Sequence, residues 1–77
     1  MVQAYILVQT EVGKAGAVSD AIRGMTETVS VENVTGPYDI VAKVEAPTLD
    51  ELGRLVVARI QELAGITRTL TCPVVHF

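Results

Sequence analysis

The chain is poor in the residues that most often carry chemistry. It has one cysteine, Cys72, one histidine, His76, and no tryptophan. A single cysteine excludes an internal disulfide and a Cys-x-x-Cys metal site. It also argues against a secreted domain of this size, which ordinarily needs disulfide staples. Tyr5, Tyr38 and Phe77 are the only aromatic residues, too few for the stacking platform of an RNA-recognition sheet. Six Lys and Arg against nine Asp and Glu leave a net charge of −3, without the basic cluster that a polyanion requires. No apolar run approaches the roughly 18 residues of a membrane span, and Met1-Val2-Gln3-Ala4 lacks the basic start of a signal peptide. These absences predict a soluble, cytoplasmic chain with no metal, cofactor, membrane or direct DNA partner.

Aliphatic residues are what the chain has in quantity. Hydrophobic residues make up 49% and charged residues 19% of its 77 positions, and the mean hydropathy is +0.41. A domain this short buries only roughly 60% of its unfolded surface, so this much aliphatic side chain exceeds what one small core can take. Exposed apolar surface of that kind marks an interface, and the expectation is a homo-oligomer of one domain spanning residues 1–77.

Periodicity divides the chain into six elements. Val2, Ala4, Ile6 and Val8 alternate with Gln3, Tyr5, Leu7 and Gln9, predicting a strand over about 2–10 that Gly13 ends. Val18, Ile22, Met25 and Val29 draw one apolar stripe, predicting a helix over about 14–29, weakened by Gly16 and Gly24. Residues 30–35 read as a second strand and 38–45 as a third, joined across Gly36-Pro37 as a hairpin. Thr48 and Glu51 form a capping-box pattern that opens a second helix, with Leu49, Leu52, Val56, Ile60 and Leu63 on its stripe and Gly65 at its end. A last strand over about 66–75 contains Pro73, which cannot donate to a ladder, so the strand should lie at a sheet edge or leave the sheet there.

The order βαββαβ predicts the α+β, ferredoxin-like arrangement, a four-stranded antiparallel sheet with both helices on one face. Simple alternation puts Ala4, Ile6, Val8, Ile40, Ala42, Val44 and Leu70 under the helices. It leaves Tyr5, Leu7, Val41 and a row of Thr67, Thr69 and Thr71 on the other face. No third layer is available to cover that face, so a second subunit is expected to.

Catalytic constellations are absent. Cys72 and His76 do not form a persuasive pair, the acidic residues are scattered, and Gly13 with Gly16 is a weak fragment of a phosphate loop. The dense polar groups are instead two turns, Thr35-Gly36-Pro37-Tyr38-Asp39 and Gly65-Ile66-Thr67-Arg68-Thr69-Leu70-Thr71. Turn chemistry and β-favouring threonines account for the glycines, the proline and the threonines taken singly.

Together these segments carry a resemblance. Val31-Glu32-Asn33-Val34-Thr35-Gly36-Pro37-Tyr38-Asp39-Ile40 is similar to the hairpin of the ligand-binding domain of Lrp/AsnC transcription regulators, and Leu63-Ala64-Gly65-Ile66-Thr67-Arg68-Thr69-Leu70-Thr71 resembles that domain's closing segment. The resemblance covers nearly the whole chain. It implies dimers formed through the sheet faces, rings such as octamers formed from the dimers, and a small effector, usually an amino acid, bound between dimers. Carried over by position, the implied effector residues are Gly36, Tyr38, Asp39, Thr69 and Thr71. An α-amino group suits the Asp39 carboxylate, and an α-carboxylate suits hydroxyl and backbone N–H donors. Full-length regulators begin with a helix-turn-helix domain, whereas this sequence starts at the first strand. The resemblance is therefore to a stand-alone form, with co-assembly with a full-length regulator as a route to a target. The alternatives are a small dimeric α/β-barrel enzyme of monooxygenase or isomerase type, which would need a general base between two sheets, and an interaction module that binds no small ligand.

Overall fold

The computed structural model describes all 77 residues. Its elements are β1 (Val2–Thr10), α1 (Ala15–Arg23), β2 (Thr28–Asn33), β3 (Ile40–Ala46), α2 (Leu49–Leu55), a π-helical turn (Val56–Ile60) that continues α2, and β4 (Ile66–Pro73). The four strands form one antiparallel sheet in the order β2-β3-β1-β4. This is the expected ferredoxin-like order, and β4 is the expected edge strand, where the missing N–H of Pro73 costs no ladder bond.

Alternation decides which side chains go inside. Ala4, Ile6 and Val8 of β1 stand beside Val44, Ala42 and Ile40 of β3, and all six are fully buried. Val18 and Ile22 of α1 and Leu52, Leu55, Val56 and Ile60 of the second helix close over them in one core of 14 residues. Each large aliphatic side chain so buried contributes about 1.5–3 kcal/mol, which is what holds two short helices in place.

Three expectations need correction. The first helix stops at Arg23 rather than Val29, because Gly24 caps it and β2 already pairs with β3 at Thr28. The Thr28 hydroxyl fastens that change of direction by donating to the Ile22 carbonyl at 2.7 Å. Val29 is consequently half exposed and off the helical stripe.

The second helix begins as expected, with Thr48 Oγ1 accepting the Glu51 N–H at 3.2 Å, although no return bond from the Glu51 side chain completes a box. It then widens. The Gln61 N–H reaches back five residues to the Val56 carbonyl at 2.9 Å, and the extra residue lets both Leu55 and Val56 face the core together with Ile60. Leu49, assigned to the buried stripe, is 61% exposed. Gly65 has φ +95°, and a Cβ there would lie 2.8 Å from Lys14 Cβ, so both the backbone conformation and the close approach require glycine.

β4 also departs from simple alternation. Thr10 stands opposite Ile66 while Gln9 stands opposite Arg68, so Thr67 is an extra residue, a bulge. One inserted residue reverses the facing of every residue after it. Ile66 still packs on the core, but Leu70 turns to the open face opposite Leu7, and Thr69 and Thr71 turn to the helix side opposite Val8 and Ile6. The threonine row is therefore not on the open face, and Leu70 is not in the core.

Candidate functional site

The hairpin between β2 and β3 is held at both ends of its turn. The Val34 N–H donates to the Asp39 carbonyl, and the Asp39 N–H donates to the Val8 carbonyl, each at 2.9 Å. Gly36 adopts φ +151° with open space around it, a backbone region essentially restricted to glycine. Tyr38 and Asp39 are half-buried where the hairpin meets the end of β1.

Asp39 has a structural task. Its Oδ2 accepts the Thr10 N–H at 2.8 Å and the Thr10 hydroxyl at 3.1 Å. The β1–β3 ladder ends at Val8 and Ile40, so the carboxylate replaces the main-chain acceptor that Thr10 has lost. Its other oxygen, Oδ1, has no hydrogen-bond partner within the chain and remains open to a donor.

The structure gathers Gly36, Tyr38 and Asp39 at one end of β1 but does not bring Thr69 and Thr71 to them. Those threonines lie on the far edge strand, separated from β3 by β1, which is about 10 Å at the usual strand spacing. Thr69 Oγ1 accepts from Gln61 Nε2 at 3.0 Å, and Thr71 is exposed.

Three residues outside the expected set meet the hairpin or its edge. Thr10 binds Asp39, Gln9 Nε2 donates to the Pro37 carbonyl at 3.3 Å, and Thr67 Oγ1 lies within reach of Gln9. Gln9 and Thr10 are consecutive polar residues at the end of an alternating strand, and that break in period was the available signal.

The open sheet face is more polar than expected. Leu7, Val41, Leu70 and Tyr5 form its apolar part. Lys43 Nζ stands 5.6 Å from the centroid of the Tyr5 ring, and Gln3 Nε2 donates to Glu45 Oε2 at 3.1 Å. Cys72 lies opposite Tyr5 and is exposed. The shallow depressions of the surface are elsewhere, on the outer side of the second helix around Arg54 and Ala58. No helix is long and apolar enough to cross a membrane.

Comparison with known proteins gives one answer in sequence and in structure. Residues 3–76 match the family described as the Lrp/AsnC ligand binding domain. A relative from Pyrococcus horikoshii, the uncharacterized HTH-type transcriptional regulator PH1916, is 32% identical over 54 residues, covering 70% of this chain and 36% of its own. The chain thus spans about a third of the length of that curated relative. The crystal structure of TTHA0845 from Thermus thermophilus superposes with a TM-score of 0.94 at 32% identity, covering 100% of this chain and 96% of that one. At 18% identity, the Neisseria meningitidis transcriptional regulator NMB0573, solved as a complex with L-Met, shares the fold with a TM-score of 0.85 over 97% of this chain and 50% of that one.

Proposed function

The chain belongs to the Lrp/AsnC ligand-binding domain family, and from that premise we propose that it senses an amino acid at the β2–β3 hairpin and transmits occupancy through self-assembly, without catalysis. The observation that carries this reading is the Asp39 carboxylate. One oxygen is fixed on Thr10 and the other is unpartnered, at the base of a turn whose backbone is set by Gly36. A fixed carboxylate with a spare oxygen suits the ammonium end of a zwitterion. The Neisseria regulator solved with L-Met supports the ligand class.

Thr69 and Thr71 enter this reading from a neighbouring subunit. Within one chain they lie two strands from the hairpin, and in this reading the site is completed when the hairpin of one copy meets the β4 edge of another. Dimers form first, through the open face around Leu7, Val41 and Leu70, and then join into rings through this contact. Where a full-length regulator is present, the same surfaces would admit it.

Calorimetric titration with the common amino acids tests the proposal on wild type and on Asp39→Asn. The amide keeps an oxygen for Thr10 and removes the charge, so folding is retained. Loss of a charge-assisted contact worth about 1.5–3 kcal/mol should weaken binding about tenfold to a hundredfold. Absence of binding to wild type below millimolar concentration would rule out an amino acid. Unaltered affinity in Asp39→Asn would remove Asp39 from the site.

A further inference from the structure

Gln9 is the last residue of β1 before the register shift, and its side chain reaches both flanks of that strand. Nε2 donates to the Pro37 carbonyl at 3.3 Å, within the hairpin that carries Gly36, Tyr38 and Asp39. On the other flank, Thr67 Oγ1 lies 3.3 Å from Gln9 Oε1 and 3.2 Å from the Gln9 carbonyl. The orientation of the amide is dictated by its partners. A carbonyl can be met only by the nitrogen, which leaves Oε1 to face the Thr67 hydroxyl, whose one proton is shared between Oε1 and the Gln9 carbonyl.

The hairpin and β4 have no backbone pairing in common, because β1 runs between them. Thr67 is the bulged residue, and a bulge re-aims the side chain it displaces. Here the displacement aims a hydroxyl at Gln9 instead of continuing the alternation. A continuous polar path follows, from Thr67 on β4 through the Gln9 amide to Pro37 in the hairpin.

We propose that Gln9 is a positioning residue that couples the hairpin to the start of β4, so that order at one is transmitted to the other. Its consequence for the ligand rests on the effector reading above, but the coupling is a property of the free chain. If Thr67 merely pinned its own bulge, replacing it would disturb β4 and leave the hairpin alone.

Amide hydrogen exchange followed by NMR on the ligand-free protein reads the coupling. The reporters are the Val34 and Asp39 amides, both bonded within or beneath the hairpin and neither in contact with Thr67. In Thr67→Val the exchange of both should rise about threefold to tenfold, the effect of losing one hydrogen bond, and Gln9→Ala should produce the same rise. The double variant should add nothing further, since one path is broken twice, and Thr67→Ser should restore wild-type exchange. Hairpin exchange unchanged in Thr67→Val, or additive effects in the double variant, would overturn the coupling. With an amino acid that binds wild type, Thr67→Val should lower affinity about threefold to tenfold and Thr67→Ser should not. An affinity equal to wild type in Thr67→Val would overturn the positioning role. If no amino acid binds wild type, the effector reading fails, and the exchange measurement still decides the coupling.

Discussion

The two faces of the sheet are made by alternate residues of the same strands, yet they obey different rules. Under the helices, Ala4, Ile6, Val8, Ile40, Ala42 and Val44 are fully buried, aliphatic and close-packed. On the open face, Tyr5 and Leu70 are 42% and 44% exposed, and Gln3, Gln9, Lys43 and Glu45 stand among the apolar residues. The first face completes its packing within one chain. The second holds apolar surface that water still reaches, beside polar groups that are already hydrogen-bonded or stacked. A small domain can thus complete its fold and still leave apolar surface exposed on one side of its sheet.

The largest effect should come from breaking the covered face. Ile6→Ala removes a side chain with no access to water and should cost about 2–5 kcal/mol in denaturant unfolding. A loss under about 1 kcal/mol would mean that the core is not packed as described. Gly65→Ala should come next, at about 1–3 kcal/mol from the strained φ alone, with the approach of Lys14 Cβ adding to it. Gly36→Ala meets strain without a clash and should cost less than Gly65→Ala. The reverse order would contradict the geometry of the second helix's end.

On the open face the expected effect changes kind. Leu70→Ser should leave unfolding of the dilute protein within about 0.5 kcal/mol of wild type while reducing the concentration dependence of its melting temperature. Equal concentration dependence in both proteins would show that the open face takes no part in assembly.

The smallest effect should be electrostatic. Arg59 Nη1 contacts both carboxylate oxygens of Glu27, at 3.0 and 2.9 Å. The Glu27 carboxyl is held below its ordinary pKa by its own backbone N–H first, with burial opposing and Thr26 and Arg59 assisting. A lowered folded pKa contributes stability above the unfolded pKa and loses it as pH falls through the folded value. Arg59→Met should therefore flatten melting slightly on the acid side and change little at neutral pH, because the pair is solvent-exposed. A large loss at neutral pH would contradict that.

Much of the covered face was readable from period alone. The βαββαβ order, the six buried strand residues, the Thr48 cap and the role of Gly65 all follow from local rules that agree with one another. The facing of β4 was not readable, since it depends on Thr67 being inserted opposite a single step of β1. Nothing in the alternation of Ile66, Arg68 and Leu70 announces a bulge. Val29 fits a helical stripe as well as a strand, so period alone carries the first helix past its end at Arg23. At the candidate site, Gly36, Tyr38 and Asp39 could be found as a turn, whereas the anchoring of Asp39 on Thr10 is a contact between residues 29 apart. The separation of Thr69 and Thr71 from that turn follows from strand order, and with it the idea that two subunits share the site.

Native mass spectrometry of freshly purified protein tests the central claim most directly, because it reads stoichiometry and bound mass in one spectrum. An effector domain whose site is completed between copies should appear as dimers and larger even assemblies, and added amino acid should bind to the larger assemblies at up to one molecule per subunit. A monomer that persists at micromolar concentration and takes up no amino acid would contradict the account.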